Sequence, residues 1–294
     1  MQPRLFHLHT LSALHCGTGQ SAEVVDLPIA RARATRLPIV PGSSLRGVLR
    51  QQVADSNRED EKTLFGPLSI TRNEDSFAGA LAIGDGHLLA LPVRCLAGIV
   101  SYVTSPFILR RYARDLGRAG IDTPYLPSDP AEGEGKVTGD SVNRVNGKLV
   151  LEDLDLTARE DPSLLAWARL LAEAVYDDTN SQIDFTHRLA LLPDEIMDFL
   201  AETGTEVRGR IRIDERTGTV ARGALWYEEY LPSETVLWGV YALSASNRQD
   251  DKRRADDLVG ALPGTGTLLQ LGGHAGAGHG LVRFITRNSG QEPA

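Results

Sequence analysis

The sequence predicts an α+β fold, in which strands and helices follow one another without a regular strand–helix repeat. Segments that alternate between apolar and polar residues indicate strands. Segments with apolar residues three and four positions apart indicate helices. The absence of regular βα alternation argues against a doubly wound parallel sheet. The length of 294 residues allows two domains, or one domain with large insertions.

The first third of the chain begins with a loosely alternating segment, residues 4–15, that predicts an opening strand. A glycine-containing loop is expected from Gly17 to about Pro41, and the tripeptide beginning at Gly42 then caps a helix. Residues 78–83 and 88–103 are expected to be strands. The apolar residues of the first helix fit one face: Leu45, Val48, Leu49 and Val53.

The middle of the chain holds a second helix, which starts at Ser105-Pro106 and ends near Gly117 and Gly120. Residues 122–148 are rich in Pro, Gly, Asp and Ser and predict a loop or an insertion. The inward side chains of the second helix are expected to be Ile108, Leu109, Tyr112 and Leu116. Further helices are expected over 162–176, 194–203 and 246–262.

A β-hairpin is expected between residues 206 and 230, with its turn around Asp214 to Gly218. Its first strand, Val207 to Ile213, places three arginines on one face: Arg208, Arg210 and Arg212. Two more strands, Thr267 to Leu271 and Leu281 to Thr286, are expected on either side of a glycine loop.

Composition sets the broad class of the protein. Hydrophobic residues make up 41% and charged residues 24%, which excludes wholesale disorder. Two cysteines, Cys16 and Cys95, exclude a disulfide framework and a cysteine-built zinc site. We find neither a signal peptide nor a membrane span in the sequence, and we therefore expect a soluble cytoplasmic protein with no membrane partner.

Positive charge is concentrated in three windows, although the net charge is −8. Residues 27–54, 86–114 and 258–291 carry eleven arginines and no acidic residue, so the rest of the chain carries −19. Such segregation predicts a cationic groove on an acidic body, as in a nucleic-acid-binding protein. Chance clustering is the alternative.

The start of the first helix is a candidate anion site. Ser43, Ser44 and the free backbone N–H groups of the first turn suit a phosphate. Arg46 and Arg50 lie four residues apart and share a face. The alternative is a capped surface helix with solvated arginines.

The loop over residues 272–280 contains five glycines in nine residues but fits neither a Walker A loop nor a dinucleotide fingerprint. Its backbone can turn sharply and allow another chain to approach closely, or it simply connects two strands. Asp26 is the last acidic residue before 28 residues without one. It therefore either forms a structural pair with the arginine-rich surface or takes part in a reaction. His7 and His9 share a strand face; they suggest a metal-dependent small-molecule hydrolase, or are core histidines.

Ordered blocks along nearly the whole chain resemble the RAMP superfamily of CRISPR effector subunits, and within it the multi-copy backbone subunit of type III-B (Cmr) complexes. The blocks are His15–Gly19, Val25–Ile29, Pro38–Gly47, Leu64–Gly66, Pro92–Arg94, Ala224–Pro232 and the glycine loop. The resemblance implies one domain over 1–294: an RRM-like or ferredoxin-like palm with inserted segments over roughly 120–230 and a protruding thumb hairpin.

The resemblance also implies a function. Copies of such subunits stack along a CRISPR guide RNA beside other Cmr subunits, and each thumb kinks the guide–target duplex. They cleave the single-stranded target RNA at regular intervals with a divalent metal, expected to be Mg²⁺ or Mn²⁺. Asp26 occupies the position of the main catalytic residue, and it is the expected metal ligand if the metal is bound directly. The matching blocks supply three further catalytic candidates: His15, Glu228 and Tyr230.

The expected guide-binding surface consists of the start of the first helix and the glycine loop, which contact phosphates and carry no sequence specificity. Its residues are Ser43, Ser44, Arg46, Arg50, Gly272, Gly273, His274, Gly276, Gly278 and Gly280. A non-catalytic guide-RNA scaffold, with a structural Asp26, is the alternative function.

Overall fold

The computed structural model describes residues 1–19, 25–68 and 76–287, excluding the side chain of Arg287. The strands, numbered in chain order, are β1 Pro3–Thr10, β2 Ile39–Val40, β3 Leu81–Ile83, β4 Gly86–Cys95, β5 Ile99–Thr104, β6 Glu134–Val137, β7 Arg144–Val145, β8 Lys148–Leu151, β9 Leu154–Glu160, β10 Leu189–Leu191, β11 Glu206–Ile213, β12 Val220–Tyr230, β13 Val236–Leu243, β14 Thr267–Gln270 and β15 Leu281–Arg287. The helices are α1 Gly42–Ser56, α2 Arg58–Phe65, α3 Pro106–Arg118, α4 Pro162–Val175, α5 Thr179–Arg188 and α6 Asp194–Thr203. Short 3₁₀ turns occupy Asp256–Ala261 and Ala275–Ala277.

Thirteen of the described strands form one mixed sheet, in the order β14-β15-β1-β13-β4-β5-β10-β6-β9-β8-β7, with β2 on β4 and β3 on β13. The N-terminal strand β1 is central, because it pairs antiparallel with β13 on one edge and with β15 on the other. β10 runs parallel to β5, and β9 runs parallel to β6. β11 and β12 form a separate two-stranded hairpin.

Helices cover the sheet with the apolar faces that the sequence pattern predicts. Helix α3 begins with Ser105 as its N-cap and Pro106 in its first turn, and its predicted inward residues are all buried. Tyr112 packs against Trp238 of β13, with their ring centroids 5.4 Å apart. Each such large side chain contributes about 1.5–3 kcal/mol by leaving water. The aromatic core therefore fixes α3 to the centre of the sheet.

The α+β class is confirmed, as are the predicted helices at α1, α3, α4 and α6 and the predicted strands around the glycine loop. The segment 88–103 contains two strands, β4 and β5, joined by a turn. Residues 122–148, expected to be a loop, contain β6, β7 and the first residue of β8. The predicted loop before α1 ends in β2, and its residues 20–24 lie outside the described residues.

The prediction of a charged helix over residues 246–262 is wrong. Only its last third is helical, as the 3₁₀ turn at Asp256–Ala261. The preceding residues form a loop that closes on itself, since the Ser246 N–H donates to the Arg253 carbonyl over 2.9 Å. Charged side chains hold this loop against α2: Arg248 Nη1 lies 2.7 Å from Glu59, and Arg253 Nη1 lies 2.6 Å from Asp60. In the part of the chain described here, no helix is long and apolar enough to cross a membrane.

Candidate active site at the base of the hairpin

The β11–β12 hairpin has two different faces. Its turn is confirmed at Asp214, whose carboxylate accepts hydrogen bonds from the backbone N–H groups of Arg216 and Thr217. Side chains on one face are exposed and mainly apolar: Val207, Ile211, Ile213, Val220, Leu225 and Tyr227. On the other face, Arg208 and Arg210 reach the body of the protein, as the alternation of the strand predicts.

Asp26 lies beside the hairpin because residues 25–31, here called the Asp26 segment, run along the free edge of β12. The Leu27 N–H donates to the Tyr227 carbonyl over 3.1 Å, and the Glu229 N–H donates to the Leu27 carbonyl over 3.0 Å. The Asp26 Oδ2 accepts a 2.8 Å hydrogen bond from the Tyr227 N–H. The Asp26 side chain is exposed. Its carboxylate is thus oriented by the backbone and accessible to a ligand.

A buried polar group, the hairpin-base cluster, occupies the opposite face of β12. It is centred on Glu228, which is 1% exposed. Its carboxylate accepts hydrogen bonds from Trp226 Nε1 at 2.7 Å, from Arg210 Nε at 3.0 Å and from the Tyr230 hydroxyl. The Nε2 of His274, from the glycine loop, lies 3.4 Å away.

The hydrogen bonds of the hairpin-base cluster determine its charges. Burial acts to raise the pKa of Glu228, but the donors Tyr230, Trp226 and Arg210 outweigh burial and hold that pKa below its usual value. Burial raises the pKa of Tyr230, and its hydrogen bond to Glu228 raises it further against the effect of Arg210. Glu228 is therefore ionised and already supplied with donors, which suits a positioning role better than proton transfer.

His15 is buried against the same cluster. Its Nδ1 donates a 2.7 Å hydrogen bond to the Glu229 carbonyl, because a carbonyl can only accept. Its ring centroid lies 5.4 Å from that of Tyr230 and 5.5 Å from that of His274. A Cβ at Gly17 would overlap His15 Nε2, so the chain reversal at this point requires glycine.

His279 links the glycine loop to the hairpin. Its Nε2 accepts hydrogen bonds from Arg208 Nη1 at 3.2 Å and from Arg210 Nη2 at 3.0 Å. Burial lowers the pKa of His279, and the two arginines lower it further. A neutral imidazole is the form that accepts from two guanidinium groups, so this contact requires His279 to be uncharged.

The first residue of the glycine loop packs against another part of this chain, the backbone of His15. Gly272 has φ +70°, and a Cβ there would overlap the carbonyl oxygen of His15. Gly276 and Gly278 are exposed, with open space at their Cβ positions. The loop therefore contacts His15 at its first residue and has an exposed stretch that is free for a ligand.

The start of α1 differs from the phosphate site that the sequence predicts. Ser43 and Ser44 are exposed, but the first N–H, that of Gly42, donates to Asp85 Oδ1 over 2.7 Å. Arg46 donates to the carbonyls of Leu81 and Phe65. Arg50 donates to Glu61 over 2.5 Å and to the carbonyl of Gly66. Both guanidinium groups thus have partners within the chain.

The structure brings His15, Glu228, Tyr230 and His274 into one cluster and places Asp26 on the segment that pairs with the same strand, β12. Sequence reasoning missed four members of this region: Arg210, Trp226, Glu229 and His279. The alternation of β11 was a usable signal for Arg210, since it placed that residue on one face with Arg208 and Arg212, opposite the apolar residues.

The alternative of a metal-dependent small-molecule hydrolase depends on His7 and His9. His7 Nε2 lies 2.8 Å from the Tyr112 hydroxyl, and His9 Nε2 lies 2.7 Å from Glu234. Among the described residues, no group of three or more His, Cys, Asp or Glu side chains is arranged to hold a metal ion. The two histidines are core residues with polar partners.

The divalent metal expected near Asp26 would also need a group of ligand side chains close together. Asp26 offers one exposed carboxylate, and the neighbouring carboxylate of Glu228 is already supplied with donors. Within residues 1–19, 25–68 and 76–287, the side chains do not form a preassembled ligand set, so they do not fit a resident metal built by the protein alone.

Comparison with known proteins identifies the family. The family model described as the RAMP superfamily matches residues 7–283. The chain belongs to the RAMP superfamily. A relative in the same superfamily, the CRISPR system Cmr endoribonuclease Cmr4 of Pyrococcus furiosus, is 33% identical over 299 residues and is matched over 99% of both chains.

Solved structures support the same assignment within the RAMP superfamily. Oligomeric Cmr4 from Pyrococcus furiosus superposes with a TM-score of 0.74 at 26% identity, covering 98% of this chain and 100% of that one. A chain of the type III-B Cmr-beta complex bound to cognate target RNA matches with a TM-score of 0.71 at 19% identity, covering 97% and 96%. The second likeness concerns the fold alone.

Proposed function

We propose that this RAMP protein is the backbone subunit of a type III-B CRISPR effector, which binds guide RNA and cleaves complementary target RNA. The full-length likeness to the Cmr4 endoribonuclease supports this function. The observation that carries the catalytic assignment is the exposed Asp26 carboxylate, held against β12 by the Tyr227 N–H. Further copies of the chain and other Cmr subunits are its proposed partners.

In this proposal the whole chain is one RAMP-type domain. The strands and helices outside residues 120–230 serve as the RRM-like or ferredoxin-like palm, and the segments over roughly 120–230, which include β6–β10 of the main sheet, are insertions. The β11–β12 hairpin serves as the thumb. Its exposed apolar face suits contact with unstacked bases, and this supports a role in kinking the guide–target duplex at regular intervals.

Asp26 acts on the target strand. RNA carries its own nucleophile, the 2′-hydroxyl, so alignment of that group with the scissile phosphate accounts for much of the rate enhancement. The hydrogen bond from Tyr227 occupies Asp26 Oδ2, which leaves Oδ1 to accept the proton of the 2′-hydroxyl. A kink at the thumb frees the backbone for in-line attack, in which the 2′-oxygen bonds to phosphorus while the bond from phosphorus to the 5′-oxygen breaks. The products are a 2′,3′-cyclic phosphate and a 5′-hydroxyl, whose proton comes from water.

His15, Glu228 and Tyr230 support the active site. The ionised Glu228 holds Tyr230 and Arg210, and these interactions fix the base of the hairpin. His15 joins β12 to the glycine loop through the Glu229 carbonyl. We assign Glu228 and Tyr230 positioning roles, and His15 the orientation of the backbone next to the target strand.

The guide RNA contacts the exposed start of α1 and the exposed part of the glycine loop. Ser43, Ser44 and His274 meet phosphates, and Gly273, Gly276 and Gly278 allow the backbone to approach them. Gly272, which meets the His15 carbonyl, and Gly280, which is buried, shape the loop at its two ends. Arg46 and Arg50 fix α1 through their contacts with protein carbonyls and Glu61.

A divalent cation, Mg²⁺ or Mn²⁺, remains part of the proposal for the RNA-bound complex. Its ligands would be Asp26 and phosphate oxygens of the RNA, because the described side chains do not form a complete set. Asp26 Oδ1 would then bind the ion instead of the 2′-hydroxyl proton, and the ion would supply stabilisation of the charge at the scissile phosphate.

The test is the Asp26→Asn variant assembled with guide RNA and partner subunits. We expect target binding to be unchanged and the single-turnover cleavage rate to fall by about 10²-fold or more, since general-base catalysis contributes 10²–10⁴-fold. Asp153→Asn, an exposed aspartate between β8 and β9, is the matched control and should cleave at the wild-type rate.

A non-catalytic guide-RNA scaffold is the second candidate. The hydrogen bond from Tyr227 to Asp26 favours it, because that contact gives Asp26 a structural use. If the Asp26→Asn complex binds the target normally and cleaves it at the wild-type rate, the scaffold function replaces the catalytic assignment.

A further inference from the structure

The carboxylate of Glu229 joins the Asp26 segment to the hairpin. Glu229 follows Glu228 in β12, so its side chain lies on the opposite face of the strand from the hairpin-base cluster. Its Oε2 accepts a 3.0 Å hydrogen bond from the Ile29 N–H. Its Oε1 accepts from Arg31 Nη2 at 2.6 Å and from the Thr205 hydroxyl at 2.9 Å.

Arg31 extends this connection to a third element. Its Nη1 donates to the carbonyls of Ala201, in α6, and of Arg36, each over 3.0 Å. The ion pair is buried, with side-chain exposures of 11% for Arg31 and 7% for Glu229. The buried Arg31–Glu229 ion pair therefore links four parts of the chain: the Asp26 segment, β12, the last turns of α6 and the residue before β11.

The position of Asp26 depends on this connection. Between Val25 and Ile29, the Asp26 segment is joined to β12 by the two backbone hydrogen bonds of Leu27 and by the bond from Tyr227 to Asp26. Further backbone hydrogen bonds join the segment to residues 16–18, from the Thr18 N–H to the Pro28 carbonyl at 3.3 Å and from the Ala30 N–H to the Cys16 carbonyl at 2.8 Å, so β12 itself holds Asp26 only through this short stretch. The Glu229 carboxylate anchors it three residues beyond Asp26, at Ile29, and Arg31 anchors it again two residues later.

We propose that the Arg31–Glu229 ion pair, with Thr205, positions Asp26 for target cleavage. The inference rests on the proposed function, because it assigns to the pair a role that acts through Asp26. Arg31 and Glu229 are positioning residues: both are buried, and their charged groups are directed at each other and at backbone groups of the protein. Loosening the pair moves the Asp26 carboxylate away from the 2′-hydroxyl while leaving the RNA-binding surface in place.

The experiment compares single-turnover cleavage with target affinity in the assembled complex. For Glu229→Ala we expect the rate at saturating target to fall by about 10²-fold, the effect of a displacement of about 1 Å, with target Kd unchanged within about twofold. Lys136→Met is the matched control. It breaks another buried ion pair, with Asp161 at 2.7 Å and exposures of 10% and 11%, and it should cleave at the wild-type rate.

A double variant separates positioning from a general structural effect. Because Glu229 acts through Asp26, adding Glu229→Ala to Asp26→Asn should lower the rate no further than Asp26→Asn does alone. If the two losses multiply, the pair acts elsewhere and the inference is overturned. Equal loss of rate in Lys136→Met would overturn it as well.

If the Glu229→Ala variant fails to assemble, the Thr205→Val variant tests the positioning role instead. This variant removes one donor to Glu229 and keeps the ion pair, so we expect a several-fold fall in cleavage rate with normal target binding. A wild-type rate in Thr205→Val, with Asp26→Asn inactive, refutes the positioning role and leaves the proposed function intact. A wild-type rate in Asp26→Asn refutes the proposed function itself.

Discussion

The start of α1 and the base of the β11–β12 hairpin both contain pairs of arginines near a buried carboxylate, yet the two regions use them differently. In α1, Arg50 is the hydrogen-bond donor to the side chain of Glu61, and Arg46 binds carbonyls of neighbouring elements. At the hairpin, Arg210 is one of several donors to Glu228. The first arrangement fastens a helix, whereas the second builds a polar cluster from distant parts of the chain. Arginine content in a sequence window does not reveal which of the two will result.

The sharpest test of this difference replaces one arginine in each region. Arg50→Met leaves the carboxylate of Glu61 buried without its guanidinium partner, and we expect it to lower the free energy of unfolding by about 3 kcal/mol. Arg210→Met should cost about half as much, since Glu228 keeps Trp226 and Tyr230 as donors. Urea unfolding of both variants measures the two values. Equal losses would contradict the distinction between a carboxylate with one side-chain donor among the described residues and a carboxylate shared by several.

The glycine loop allows a second test within the hairpin region. Gly272→Ala forces a Cβ against the His15 carbonyl at a positive φ, and we expect it to destabilise the protein by about 1–3 kcal/mol. Gly276→Ala adds a methyl group in open space and should change stability by less than about 0.5 kcal/mol. Thermal unfolding of the two variants checks the pair. A neutral Gly272→Ala would mean that the loop does not support His15.

The smallest expected effect concerns pH and His279. Its pKa is lowered in the folded protein, so the unfolded chain binds the proton first and stability falls as pH drops below about 6.5. The loss levels off once pH is below the folded-state pKa. In His279→Gln the amide oxygen still accepts from the arginines but does not titrate, so the loss of stability between pH 7.5 and 5.5 should shrink. An identical loss in wild type and variant would show that His279 does not titrate in this range.

Local patterns in the sequence were sufficient to predict many of the helices and strands. Helix α3 was predictable because Ser105-Pro106 marks its start and its apolar residues fall on one face. The loop before Asp256 was not, because it is held by ion pairs with α2, nearly two hundred residues away. β13 was missed although its eight residues are almost entirely apolar, a pattern typical of a buried central strand.

The candidate site was predictable only in part, and for a physical reason. Residue type and spacing single out Asp26 and the glycine loop, but no spacing rule joins His15 to Glu229 or Glu229 to Ile29 across two hundred positions or more. The resemblance to RAMP proteins supplied His15, Glu228 and Tyr230 as candidates. The contacts of Arg210, Glu229 and His279 required the folded chain.

The central position of β1 has a consequence for how the protein is made. Both partner strands of β1, β13 and β15, lie more than two hundred residues further along the chain. At a synthesis rate of about 5–20 residues per second, β1 is made roughly 10–50 seconds before either edge has a partner. During that interval an apolar strand with two open edges is exposed to other chains. Correct assembly of the sheet therefore depends on protecting β1 until β13 and β15 have been made.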